Sequence, residues 1–281
     1  MIDEKLIFIG GCMRSGTTIL HRVLCASHES HPYITESWYL IDQLRIYRWC
    51  LQRYDVRHKD YFGERAIFDE FTRNILRNYF FVTRVRYAPA TALVLKNPEV
   101  TSQFPLLGNW FKEARFVINV RDPRDTITSI VEVGERHRQD GLRTPQTSLG
   151  RNMQKLSNFY KKYYANLFSP AGRQIKDRMI FVRYEDIMTE TEKTVQRLGD
   201  FCGLSFDMEL LRHFGSQQES SLNLDAEVRA RDPLSAAFWS DLYTKDLSAS
   251  RIGRHRDVLT PEEIREIETH CADFNKVVPY W

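Results

Sequence analysis

Arg14, in the stretch IFIGGCMRSGTTIL (residues 7–20), is the first side chain whose setting suggests chemistry. An apolar run enters glycines and hydroxyls and leaves through a second apolar run. That is the pattern of a strand, a phosphate-cradling loop and a helix. In the nucleotide-hydrolase pattern G-x-x-x-x-G-K-[ST], a loop opening at Gly11 and closing at Gly16 would place lysine at position 17. This chain has Thr17 there, and the loop's cation is Arg14. Backbone N–H groups and the positive end of a helix dipole attract any anion. The hydroxyls of Ser15, Thr17 and Thr18 can add hydrogen bonds. The missing lysine is the group that neutralises a triphosphate, and the residue after it holds magnesium. Thr17 supplies no such charge, and the strand FVINV (116–120) is followed by Arg121 rather than by a magnesium-supporting aspartate. ATP hydrolysis is therefore disfavoured.

A second basic site narrows the ligand. VRDPRDTITS (120–129) sets Arg121 at a strand's carboxyl end, Pro123 at a helix start and Ser129 about two turns into that helix. In an open α/β sheet the carboxyl ends of the strands share one crevice. Arg14 with its loop and Arg121 with Ser129 then form two anion sites side by side. The alternative for Arg121 is a surface ion pair with Asp122 or Asp125. A nucleotide with separate anionic groups at its 5′ and 3′ positions would answer both sites, which describes 3′-phosphoadenosine 5′-phosphosulfate (PAPS).

On these motifs the chain resembles the PAPS-dependent sulfotransferases, nearer the carbohydrate and tyrosylprotein branch with its RSGTT loop than the cytosolic small-molecule branch. The resemblance implies that Arg14, Ser15, Gly16, Thr17 and Thr18 receive the 5′-phosphosulfate and that Arg121 and Ser129 receive the 3′-phosphate. RYEDI (183–187) matches a recurrent family segment of structural character. SRIGRHRDVLTPEEI (250–264) resembles the family's C-terminal stretch, which implies nucleotide contacts from Ser250, Arg251 and Arg254. Two departures leave the charged groups in place: Met13 stands where the family often has proline, and KNP (96–98) where relatives read K-T-P or K-D-P.

Sulfuryl transfer needs an in-line nucleophile, stabilisation of developing charge and a base for the acceptor's proton. Glu36, in HPYITESWYL (31–40), follows the first helix after a short loop and can return to the crevice. The resemblance places the catalytic carboxylate there. The alternative is a first-turn glutamate favouring a helix dipole after Thr35. Lys96 ends the strand of LVLKNP (93–98) and so points into the same crevice. It matches the family's catalytic lysine, and with Arg14 it would stabilise the leaving phosphosulfate. The acceptor is expected to be a small-molecule, carbohydrate or peptide hydroxyl. A P-loop small-molecule kinase and a non-catalytic binder of PAPS or of its product, 3′-phosphoadenosine 5′-phosphate (PAP), are the competing readings.

The elements that must position these groups follow from periodicity. Apolar runs at 6–9, 91–96, 114–120 and 178–184 read as buried parallel strands. Between them lie helical patterns at 17–26, 99–112, 123–137, 150–167 and 189–202. The alternation predicts an α/β fold, a doubly wound parallel sheet with a P-loop, in one domain over 1–281. Residues 37–91 carry helical periodicity without a clear strand and read as a helical insertion beside the sheet. Most of its aromatic residues (Trp38, Tyr39, Tyr47, Trp49, Tyr54) are expected in the core, with a few lining an acceptor pocket. Thr260, Pro261 and Glu263 spell a capped terminal helix. QDGLRTPQTSLG (139–150) reads as a mobile loop.

Composition sets the outer bounds. The chain has 281 residues, 42% hydrophobic and 27% charged, with a formal net charge of +3. That is an ordinary globular balance, with no demand for nucleic acid. No apolar run reaches the length of a membrane span. The N-terminus lacks the pattern of a signal peptide. Five scattered cysteines suit reduced thiols and a cytoplasmic location. Cys25, His28 and His31 have a zinc-like C-x-x-H-x-x-H spacing, but no fourth ligand is apparent and no metal is expected. The sequence says nothing of oligomeric state.

Overall fold

Alternation along the strands decides the architecture. In the strand β1 (Lys5–Gly11), Leu6 and Phe8 face one side of the sheet while Ile7 and Ile9 face the other, and all four are buried. A strand apolar on both faces must be covered on both, and two separate clusters cover it. In the computed structural model, which describes residues 5–207, 211 and 248–281, β1 is followed by helix α1 (Thr17–Cys25). Next come α2 (Trp38–Gln52), α3 (Arg65–Arg86) and the strand β2 (Ala92–Lys96). The strand β3 (Arg115–Val120) leads directly into α4 (Pro123–Gln139), and α5 (Met153–Tyr164) follows. The strand β4 (Met179–Arg183), α6 (Thr191–Cys202) and α7 (Pro261–His270) complete the framework.

The four strands lie in the order β2-β1-β3-β4, and every pairing is parallel. β1 therefore has β2 on one side and β3 on the other. The chain reverses its direction of travel across the sheet at the carboxyl end of β1, where a crevice opens. One face packs Leu6, Phe8, Leu95, Phe116 and Ile118 against α2, α3, α4 and α5 through Leu44, Leu76, Phe80, Ile130 and Tyr160. The other packs Ile7, Ile9, Val94, Val117 and Val182 against α1 and α6 through Leu20, Leu24, Val195 and Leu198. This is the doubly wound parallel sheet that the periodicity predicts.

Several elements differ from expectation. The pattern at 99–112 is a 3₁₀ turn over Pro98–Gln103 followed by a short helix over Phe104–Trp110, with Pro105 at its start. The pattern at 189–202 begins earlier, with a separate turn of helix over Tyr184–Thr189. The expected mobile loop at 139–150 contains a helical turn, Pro145–Leu149. Thr144 and Thr147 cap it reciprocally, and Gln146 is buried beneath it. Threonine at N3 did the work usually done by glutamate, which hid the capping box. In the insertion, Tyr47 and Tyr54 are buried with Phe68, whereas Trp38, Tyr39 and Trp49 are about half exposed. Helix α7 is capped by Thr260 and Glu263, as the sequence predicts, but it is not the last: a short helix over Ala272–Val277 follows it. Residues 1–4, 208–210 and 212–247 of the expected domain lie outside the described residues.

Candidate active site

The loop between β1 and α1 is shaped by close approaches that exclude side chains. Gly16 sits at φ 101°, and a Cβ there would lie 2.4 Å from the Tyr184 ring. Arg14 itself adopts φ 67°, unusual for a residue with a side chain. Ser15 is fully buried. Its hydroxyl donates to the Cys12 carbonyl at 2.7 Å, and Asn119 Nδ2 donates to the Ser15 carbonyl at 2.6 Å. The Ser15 side chain therefore braces the loop from beneath, while Gly16, Thr17 and Thr18 face the crevice. The first turn of α1 has no side-chain cap, in contrast to the capped α5 and α7. Its N–H groups are left to an external acceptor.

Above this loop lies a cavity of about 360 Å³ whose lining includes Arg14, Arg121, Ser129, Arg251 and Arg254. The two basic sites read from the sequence are thus one enclosure. Arg14 Nε donates to Ser129 Oγ at 3.3 Å, and Arg121 donates to the carbonyls of Arg14 at 3.3 Å and Arg251 at 2.5 Å. The Arg121 guanidinium lies 4.5 Å from the centre of the Tyr184 ring. The expected alternative, pairing with Asp125, is present but loose at 3.8 Å. Among the described residues, Arg121 Nε is buried without a partner. A buried guanidinium N–H left over, beside an uncapped helix start, fits an anionic ligand with two separated groups.

The C-terminal segment is tied across this cavity by Asp125. Its carboxylate accepts from the backbone N–H groups of Gly253 (2.7 Å) and His255 (2.9 Å) and from His255 Nδ1 (2.7 Å). Burial alone would raise the Asp125 carboxyl, but these hydrogen bonds and the Arg121 charge outweigh it and hold it below its ordinary value. Arg251 and Arg254 reach the cavity, where Glu132 pairs with both, at 3.7 and 3.3 Å. Ser250 is exposed and not among the lining residues; its N–H bonds to Ser248 Oγ.

At the other end of the crevice, Lys96 is 1% exposed, buried at the strand's end rather than free in solvent. Its ammonium donates to Glu36 Oε1 at 2.5 Å and to Thr18 Oγ1 at 3.1 Å. Glu36 is held alongside by the N–H of Ser37, which donates to the Lys96 carbonyl at 2.9 Å. The Glu36 side chain stays 31% exposed, open to a second molecule. Beneath, burial and then the Lys96 charge push His21 well below its ordinary value, so its imidazole is neutral. His31 is also lowered, chiefly by burial. Its Nδ1 bonds the Pro32 carbonyl and its Nε2 takes the Val94 N–H, so both ring nitrogens are engaged by backbone. The Cys25, His28, His31 spacing therefore does not assemble a metal site, and no group of three metal-binding side chains occurs among the described residues.

Sequence reasoning missed Asp125 as an anchor and Glu132, Arg136 and Tyr184 as lining residues. The signal for two of them was available: Glu132 and Arg136 follow Ser129 at helical spacing, on one face of α4. Glu185 of RYEDI accepts from the N–H of Asp122 at 3.0 Å, which locks the turn after Arg121.

The profile of the sulfotransferase family matches residues 7–208. Protein-tyrosine sulfotransferase 1 of Danio rerio is 25% identical over 215 residues, covering 75% of this chain and 56% of that protein. The chain thus spans just over half the length of that relative. The omega-hydroxy-beta-dihydromenaquinone-9 sulfotransferase of Mycobacterium bovis is 25% identical over 285 residues, covering 82% of this chain and 72% of that protein. Among solved structures, the sulfotransferase domain from the curacin biosynthetic pathway superposes with a TM-score of 0.59 at 18% identity, covering 96% of this chain and 98% of that one. A mouse sulfotransferase complexed with PAP superposes at 0.55 and 13% identity, covering 98% of this chain and 85% of that one. These structures share the fold, and the profile match spans the sheet from β1 to β4 and on through α6: the chain belongs to the sulfotransferase family.

Proposed function

We propose that the chain moves a sulfuryl group from PAPS to a hydroxyl acceptor. The observation that carries this reading is the continuity of the crevice. Arg14 and Arg121 with Ser129 line one cavity, and Thr18 links that cavity to the Lys96–Glu36 pair. Gly16, Thr17, Thr18 and the first turn of α1 hold the 5′ end of the donor, and Arg14 neutralises it. Arg121 and Ser129 hold the 3′-phosphate, with Arg251 and Arg254 closing over the nucleotide. Ser250 and the inward-turned Ser15 support these segments.

Glu36 takes the proton of the acceptor hydroxyl as its oxygen attacks sulfur. Lys96 and Arg14 stabilise the negative charge that develops on the bridging oxygen as the sulfur–oxygen bond to the donor breaks. The products are the sulfated acceptor and PAP. A positioned base of this kind contributes roughly 10²–10⁴-fold. Charge stabilisation aimed at the leaving oxygen is of similar weight.

The acceptor is a hydroxyl on a small molecule, carbohydrate or peptide. One relative is named for protein tyrosine and another for an omega-hydroxylated dihydromenaquinone, both hydroxyl-bearing. The reading takes residues 1–281 as one domain, with α2 and α3 on the acceptor side. It includes a cytoplasmic location, supported by the unpaired state of all five cysteines. No helix among the described residues is long and apolar enough to cross a membrane.

Incubation with sulfur-labelled PAPS and a panel of hydroxyl acceptors, with and without EDTA, tests the reading. Label transfer that chelator does not affect is expected. Metal-dependent ATP consumption without sulfur transfer would instead indicate a kinase. Tight PAP binding with no transfer would indicate a non-catalytic binder.

A further inference from the structure

A second cavity, of about 410 Å³, lies on the far side of the phosphate loop from the nucleotide enclosure. Met13 lines it while the adjacent Arg14 lines the first cavity, so the loop is the shared wall. Its floor is apolar: Ile41 and Leu44 of α2, and Phe159 and Tyr163 of α5. Helix α2 connects it to the reacting groups: it starts at Trp38, two residues after Glu36, and Ile41, Leu44, Arg45 and Arg48 along it line the cavity.

The rim has the opposite character. Arg45, Arg48 and Lys162 stand around it against one carboxylate, Glu99. Arg45 already pairs with Glu99 at 2.5 Å and with Asp42 at 2.9 Å. Arg48 and Lys162 are exposed, on facing helices, and no carboxylate pairs with either among the described residues. The cavity thus sets an apolar floor beside two uncommitted cations, along the helix that begins two residues after Glu36. This polarity matches the charge distribution of the chain. Residues 37–91 hold ten basic and six acidic side chains, a net +4, whereas the whole chain is only +3.

We infer that this cavity seats the acceptor, and that the acceptor is an amphiphilic hydroxyl compound whose far end carries an anionic group held by Arg48 and Lys162. The inference rests on the sulfuryl-transfer reading for the identity of the reacting end. Geometry sets the length. Helix α2 rises about 15 Å from Trp38 to Arg48 at 1.5 Å per residue, and an arginine side chain leans back toward the helix N-terminus. The cationic rim therefore stands roughly 10 Å from the Glu36 carboxylate. The apolar body between is a ring or chain short enough for a site of this volume.

Three probes of matched shape test this: para-hydroxyphenylbutanoate, its amide, and the corresponding amine. Their affinities are measured by calorimetry or ligand-observed NMR on the protein alone and on the protein saturated with PAP. The acid is expected to bind about tenfold tighter than the amide, with the amine weakest. Joint replacement Arg48→Ala with Lys162→Ala should remove the acid's advantage and leave the amide within about twofold. PAP affinity should not change in that variant. Equal binding of acid and amide, or an advantage of the acid that survives the double replacement, overturns the inference. Binding does not depend on turnover, so a protein that fails to transfer sulfur still tests this cavity. Absence of PAP binding would count against the transfer reading alone.

Discussion

The two cavities flanking the phosphate loop are built from different materials. The nucleotide enclosure is made of loop backbone, strand ends and arginines that the sheet and the C-terminal segment hold in place. Arg121, for instance, is fixed by two carbonyls, a tyrosine ring and a carboxylate. The second cavity is made of apolar side chains from α2 and α5, with exposed cations at its edge. A donor that never changes can be met by a preorganised polar cradle, which lowers the cost of binding it. In the proposed reading an acceptor is met by the faces of α2 and α5, where side chains can change without disturbing the sheet. The contrast teaches where each kind of specificity is stored.

The largest effect that could break this contrast is expected from Arg121→Ala. Losing a buried guanidinium aimed at a phosphate should weaken PAP binding by about a hundredfold, near 3 kcal/mol. Affinity for acceptors in the second cavity should stay within about twofold. Calorimetry with each ligand separately checks both halves. A comparable loss of acceptor affinity would show that the two cavities are one coupled site.

A smaller effect, of opposite sign, should come from Glu132→Gln. Glu132 engages Arg251 and Arg254 at 3.7 and 3.3 Å, so the nucleotide must compete with its carboxylate for them. Both arginines are partly exposed, and the pairs are correspondingly weak. PAP affinity should rise about two- to fivefold, with a steeper dependence on salt. A fall in affinity would mean that Glu132 orients the arginines rather than competing for them.

The smallest effect concerns the strand that ends in Lys96. His21 and His31 both bond to Val94 in the middle of β2, and both are held below the ordinary histidine value of 6.5. The unfolded chain therefore binds more protons than the fold once the pH drops below about 6.5. Stability is fully present above that value and falls progressively below it. Denaturant titrations at pH values of about 7.5 and about 5.5 should show this loss, and it should shrink in His21→Gln. A stability that is flat across that window would place both imidazoles in contact with solvent.

Much of the nucleotide side was legible because its chemistry is local in the sequence. A loop between strand and helix, and an arginine eight residues before a serine on the next helix start, declare themselves by spacing. The sheet was legible for the same reason, since strands buried on both faces are unbroken apolar runs. Ser15 shows the limit: its hydroxyl was expected to face the phosphate, and only the neighbouring Asn119 and the Cys12 carbonyl explain why it turns inward. The ties of Asp125 to the segment around Gly253 and His255 span about 130 residues and leave no trace in spacing. The acceptor side was least legible. The aromatic residues of the insertion drew attention, yet the cavity takes Ile41, Leu44, Arg45 and Arg48 from α2 instead. A helical pattern says which residues share a face, but what that face meets depends on a helix more than a hundred residues away.

In the proposed mechanism Glu36 is the base and Lys96 with Arg14 stabilises the leaving oxygen, while the rest of the cavity beside them holds the donor. Glu36→Gln keeps the shape and a hydrogen-bonding oxygen for Lys96 but removes the base. Sulfur transfer from labelled PAPS and PAP affinity should be measured on the same preparation. Transfer should fall by at least about a hundredfold while PAP affinity stays within about threefold. Transfer that persists, or PAP affinity that collapses with it, would contradict the assignment and make Glu36 a structural partner of Lys96.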